Sequence, residues 1–155
     1  MIINNMLYQN SSNALMQAKH YQSQISQKEF EIQLININSK YSSYGNDYNE
    51  LQRQKMEQDI WNLKNIRNNN IYSAIDYALE LVLIEMKNNP LYSMAYLAVN
   101  SITSYLRIQK ISDLTLPLPL RLKLTQIDTN LAYSNMDNTI LKNAISELKN
   151  WLHIF

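Results

Sequence analysis

One glycine, Gly45, serves all 155 residues of this chain, with only three prolines beside it. Tight hairpins, strand crossings and phosphate-cradling loops need several residues at positive φ, where a side chain is costly. An all-β or nucleotide-binding α/β fold is therefore disfavoured, and the α-helix remains. The apolar pattern agrees, recurring at steps of three and four along most of the chain.

Between Ile71 and Met86 the sequence reads IYSAIDYALELVLIEM. Wound as a helix it is apolar nearly all round, leaving a strip through Ser73, Asp76 and Glu80 for water. Such a helix needs cover on most sides, from its own chain or from another molecule. Asn88, Asn89 and Pro90 end it and start the next, because proline suits the first helical position and Asn89 can cap it. The segment from Leu91 to Ile108 carries one stripe of Leu91, Met94, Ala95, Ala98, Ile102 and Tyr105. These two helices are expected to pack together and, being too apolar for one small bundle, to leave surface for a partner.

The first half is more polar. Residues 13–40 form a weakly amphipathic helix whose inward stripe is Ala14, Ala18, Tyr21, Ile25, Ile32 and Ile35, a coiled-coil-like spacing interrupted by Lys28. Gly45 with Asn46 and Asp47 reads as a turn, and Asp47 and Glu50 have capping-box spacing. A second helix over 48–67, with Tyr48, Leu51, Met56, Ile60, Leu63 and Ile66, should return as an antiparallel αα-hairpin. Asn68, Asn69 and Asn70 then predict a polar break that caps the apolar helix. The expected organisation is a polar hairpin over 1–70, with 1–12 as a frayed end, and an apolar helical core over 71–155, the two belonging to one domain.

In DLTLPLPLRLKLTQI six leucines, from Leu114 to Leu124, alternate with other residues, the period of a strand. Pro117 and Pro119 cannot donate to a ladder, which rules out a central strand. The competing stripe Leu120, Leu124, Ile127 and Leu131 predicts an extended 111–117 followed by a helix over 118–133. The last segment, Met136 to Phe155, repeats Leu141, Ala144, Ile145, Leu148, Trp151, Leu152 and Phe155 in a broad helical stripe, with the apolar end expected to tuck into the fold. The fold class is all-α, a bundle of five or six helices with an N-terminal antiparallel helical hairpin.

The chemistry-bearing motifs are few. There is no cysteine, no HExxH and no Gly-rich phosphate loop, and His20 and His153 stand far apart. Asp76 and Glu80 share a helix face at i, i+4, but with no histidine or third carboxylate beside them they read, with Glu85, as the solvated strip of a packed helix. Lys and Arg total 14 against 13 Asp and Glu, interspersed, which argues against a polybasic arm. The opening MIINNMLYQNSSNALMQA lacks the basic and unbroken apolar regions of a Sec signal. The expected location is the cytoplasm, or outside it by export without that signal. The apolar helix is too short and too charged to span a bilayer.

Fragments such as ALELVLIEMKNNP and LAYSNMDN resemble the helix turns of tetratricopeptide arrays. The signature Trp-Leu-Gly-Tyr positions are absent, and the spacing does not give the period of about 34 residues, so no family follows. The reading is a non-enzymatic interaction or assembly subunit, with no cofactor or metal, that self-associates or docks on a protein. Its interface candidates are Tyr44, Tyr48, Leu51, Met86, Tyr92, Tyr96, Trp151 and Phe155. Tyr, Met and Trp are favoured at such surfaces. The alternative is a small helical subunit of a nucleoprotein complex touching RNA or DNA through Lys55, Lys64, Arg67, Arg107, Arg121 and Lys123.

Overall fold

The computed structural model describes residues 2–41, 46–88, 93–134 and 138–154. They form five helices: α1 (Ile2–Tyr41), α2 (Asn46–Asn88), α3 (Ser93–Gln109), α4 (Leu118–Ala132) and α5 (Thr139–Trp151). No strand occurs among the described residues, so the protein is the all-α bundle its sequence implies. The chain divides into two compact units, one of Met1–Leu15 with Ile71–Phe155 and one of Met16–Asn70.

In the first unit the apolar stripes find one another. Ile71, Ala74, Ile75, Ala78, Leu79, Leu81 and Val82 of α2 are wholly buried, as are Ala95, Val99, Ile102 and Leu106 of α3. Helix α3 packs on α5, whose Leu141, Ala144, Ile145 and Leu148 face inward, and Arg107 reaches Glu147 across the pair at 3.0 Å. Lys149 of α5 holds Asp128 of α4 at 2.6 Å. The start of α1 joins this unit through Ser11, whose buried hydroxyl donates to the Ala74 carbonyl oxygen at 2.9 Å.

Residues 111–117 are extended and followed by α4, as the paired prolines predict. The alternating leucines line a strap, with Ile111, Leu114 and Leu116 buried. The strap is held by side chains in place of a ladder: the Thr115 N–H donates to the Tyr72 hydroxyl at 3.2 Å, and Arg121 Nε donates to the Leu116 carbonyl at 2.9 Å. Pro119 sits in the first turn of α4, where its missing N–H costs nothing. The buried stripe Leu120, Leu124, Ile127 and Leu131 is the expected one.

With one glycine in the chain, helix ends must make do with other residues. Lys110 (φ 54°) and His153 (φ 56°) adopt the left-handed conformation that closes α3 and α5. In each case two backbone bonds complete a Schellman motif: Ile111 N–H to Leu106 O at 2.9 Å with Lys110 N–H to Arg107 O, and Ile154 N–H to Lys149 O at 2.9 Å with His153 N–H to Asn150 O.

Two expectations are corrected. Helix α1 begins at Ile2, because Asn4, Leu7 or Tyr8, Ser11 and Leu15 continue the inward spacing and Ser11 finds a carbonyl partner. Helix α2 runs unbroken through Asn68–Asn70. The inward positions Ile60, Arg67, Ile71 and Ala74 keep their register across that stretch, while Asn70 bonds back to the Ile66 carbonyl; a few tenths of a kcal/mol of asparagine propensity yields to that continuity. The second half of α2 and most of α3 are buried or half-buried, while Leu97 and Ile108 of α3 stay exposed.

Candidate protein interface

The second unit has the reverse balance of burial. Among its described residues only Ala18, Ile25 and Ile60 are buried apolar side chains, against eight large ones that are exposed: Met16, Phe30, Leu34, Ile37, Tyr48, Leu51, Trp61 and Ile66. Its two helices run antiparallel, since Arg67 Nη1 donates to Gln22 Oε1 at 2.7 Å, Lys28 meets Asp59 at 3.6 Å and Asn49 donates to Ser39 at 3.1 Å. Polar and charged pairs thus cross the seam beside the buried Ala18, Ile25 and Ile60.

Residues 16–37 of α1 have two opposed faces. Ala18, Ile25, Ile32 and Ile35 are buried or half-buried; Met16, His20, Ser23, Gln27, Phe30, Leu34 and Ile37 are all exposed. At about 100° per residue the second set falls nearly opposite the first. Met16, Phe30, Leu34 and Ile37 are 61%, 58%, 45% and 53% exposed respectively. Three of them, Phe30, Leu34 and Ile37, lie in successive steps of four and three, so they form a continuous apolar ridge. That second stripe was present in the sequence but hidden behind the first one, because a helix apolar on two sides shows little net amphipathicity.

Of the eight interface candidates, Tyr48 and Leu51 are exposed on α2, while Met86, Tyr96 and Trp151 are half-buried in the first unit. Tyr44, Tyr92 and Phe155 lie outside the described residues. Met16, Phe30, Leu34, Ile37, Trp61 and Ile66, also exposed on the second unit, were not among those candidates.

The basic candidates are mostly committed to neighbours. Arg67 is 4% exposed and holds Asn68 as well as Gln22. Lys123 bridges Asp76 and Glu80, the latter at 2.7 Å. Lys64 approaches Glu29 at 4.0 Å, Arg107 pairs with Glu147 and Arg121 bonds a carbonyl. Lys55 is exposed. Burial pulls the Lys123 ammonium down, but hydrogen bonds and charge from Asp76 and Glu80 outweigh it and leave its pKa above the ordinary lysine value.

The acidic strip is also reassigned. Asp76 and Glu80 answer Lys123, and Glu85 faces inward, wholly buried. Its Oε2 accepts the Ala95 N–H at 3.0 Å, satisfying one donor at the start of α3, while Oε1 has no hydrogen-bond partner among the described residues. Burial raises the Glu85 pKa above its ordinary value, and the Ala95 and Met94 N–H groups oppose that rise. No group of three His, Cys, Asp or Glu among the described residues could hold a metal ion. The depressions on the second unit are open and polar, one lined by Gln54, Glu57, Gln58 and Trp61, another by Ile35, Asn36, Ser39, Asn49, Glu50 and Arg53. No helix among the described residues is long and apolar enough to cross a membrane. No protein-family model, no curated protein and no solved structure matches the chain.

Proposed function

We propose that this protein is a non-enzymatic helical assembly subunit that binds protein through the outer surface of residues 16–70. The observation that supports this reading is the inverted burial of that unit, eight large apolar side chains exposed against three apolar residues buried. A helix pair with so small a core is marginal alone, and a contiguous exposed apolar ridge on a protein surface marks an interaction site. The nucleoprotein alternative draws less support. Three of its six basic residues fall in each unit, and most are neutralised or buried.

Amide hydrogen exchange on the dilute chain tests the proposal. Amides of 16–66 should exchange far faster than those of 71–82, and an apolar dye should bind the wild type and lose most of that binding in the Phe30→Glu, Leu34→Glu double variant. Equal protection of both segments with no dye bound would overturn the proposal. Binding to an oligonucleotide that collapses between low and physiological salt would favour the alternative.

A further inference from the structure

The outer face of α1 is a heptad seam. Counting from Met16 at d, His20 is a, Ser23 d, Gln27 a, Phe30 d, Leu34 a and Ile37 d, and all seven are exposed. We infer that this seam pairs with the same seam of a second copy of the chain, parallel and in register, as a two-stranded coiled coil over residues 16–37. The inference rests on the protein-docking reading above and names its occupant.

One observation sets the orientation of the pair and two favour a second copy as its occupant. The first is how polar and apolar positions match. In the parallel in-register arrangement Met16, Phe30, Leu34 and Ile37 each meet their own kind, and so do His20, Ser23 and Gln27. The antiparallel register that sets Gln27 against Phe30 also sets Ser23 against Leu34 and His20 against Ile37, burying polar groups against apolar ones and leaving Met16 unmatched. A polar residue at an a position is a known device for fixing register, and Gln27 occupies one.

The second is charge. The positions flanking the seam across a parallel pair are Lys19 with Gln24, Ser26 with Glu31 and Gln33 with Asn38. No like charges face each other, so one copy does not repel another, and a strongly charged partner would find no complement. The third is area. Residues 16–37 span roughly 32 Å, and half the circumference of a helix about 11 Å across is about 17 Å. The pair then covers on the order of 1,100 Å² in all, just above the roughly 1,000 Å² a specific interface needs. A dimer of that size forms reversibly with concentration.

Light scattering across a concentration series, with single-cysteine variants of this cysteine-free chain, tests the pairing. The wild type should double in mass as concentration rises. The Phe30→Glu, Leu34→Glu variant should need at least tenfold more protein to do so, with an unchanged helical circular-dichroism signal, and Leu97→Glu, a substitution in the first unit, should leave the mass curve unchanged. Under oxidation Met16→Cys and Ile37→Cys should each give a covalent dimer with itself, as only the parallel register places both against their own copies. Dimers from Ile37→Cys with none from Met16→Cys would overturn the parallel seam. A monomer at several hundred micromolar with fast-exchanging amides over 16–37 would overturn self-pairing and leave protein docking standing; a monomer with those amides protected would overturn both.

Discussion

The two units of this protein invert what their compositions suggest. The unit of Met1–Leu15 with Ile71–Phe155, which holds the most apolar sequence, buries 26 apolar residues and exposes nine large ones among its described residues; the polar-looking 16–70 buries three and exposes eight. Apolar content therefore does not locate unmet apolar surface. What matters is whether stripes on successive helices are numerous enough to cover one another. Helices α3, α4, α5 and the second half of α2 supply such stripes, whereas two helices can each cover only one side of the other.

The largest expected effect separates the two units directly. Leu79 and Leu106 are wholly buried, so Leu79→Ala or Leu106→Ala should cost about 3 kcal/mol in chemical denaturation, the transfer loss plus a cavity. Leu34→Ala should cost under about 0.5 kcal/mol in dilute protein, because the side chain already meets water there. A large loss from Leu34→Ala at low concentration would break the contrast.

Next comes the buried carboxylate, which asks whether the first unit tolerates a charge because its packing is in surplus. Glu85→Ala removes the acceptor for the Ala95 N–H and should cost about 2 kcal/mol, the penalty of a buried donor left unmade. The pH dependence carries a definite sign. Burial raises the folded pKa above the unfolded value near 4.5, so between the two the folded state binds more protons than the unfolded one, and stability falls as pH rises through that window. Above the folded value the dependence on this group vanishes. Glu85→Gln, which keeps the acceptor, should flatten that segment of the stability curve; an unchanged curve would show that the carboxylate titrates alike in both states.

At about 1 kcal/mol stands Lys110→Gly, expected to stabilise the protein by relieving a left-handed lysine while keeping the Schellman bonds of α3. A matching thermal shift upward would confirm that the first unit bears local strain because its core outweighs it. No change would mean the lysine stem recovers in packing what its backbone loses.

How much of this was legible in the sequence follows from the same contrast. The strap over 111–117 and the stripe Leu120, Leu124, Ile127 and Leu131 were readable because proline chemistry and helical period left one joint solution. Helix class was readable from one glycine and the three-four spacing. Glu85 was not: its local surroundings on the wheel resemble those of Glu80, and only the α3 N-terminus arriving at its carboxylate separates them. The ridge of Phe30, Leu34 and Ile37 was obscured because the inward stripe of Ile25, Ile32 and Ile35 already accounts for the helix, and a second stripe opposite the first looks like scatter. Arg67 was read as a surface cation; a chain alone does not tell that Gln22 and Asn68 enclose its guanidinium.

The smallest effect probes the place where local and long-range signals conflict. Asn68, Asn69 and Asn70 have the composition of a helix break, yet α2 passes through them. Asn69 is exposed, so Asn69→Ala should stabilise the protein by a few tenths of a kcal/mol, the difference in helix propensity with no contact altered. Hydrogen exchange should then slow slightly and equally at the amides of 66–73. The size of that gain measures how strongly the periodicity from Ile60 to Ala74 already holds this stretch. A gain well above 1 kcal/mol would mean the turn is frayed in solution. A gain of only a few tenths means that the helical periodicity running from Ile60 to Ala74 already holds α2 through the asparagines against their own weak propensity.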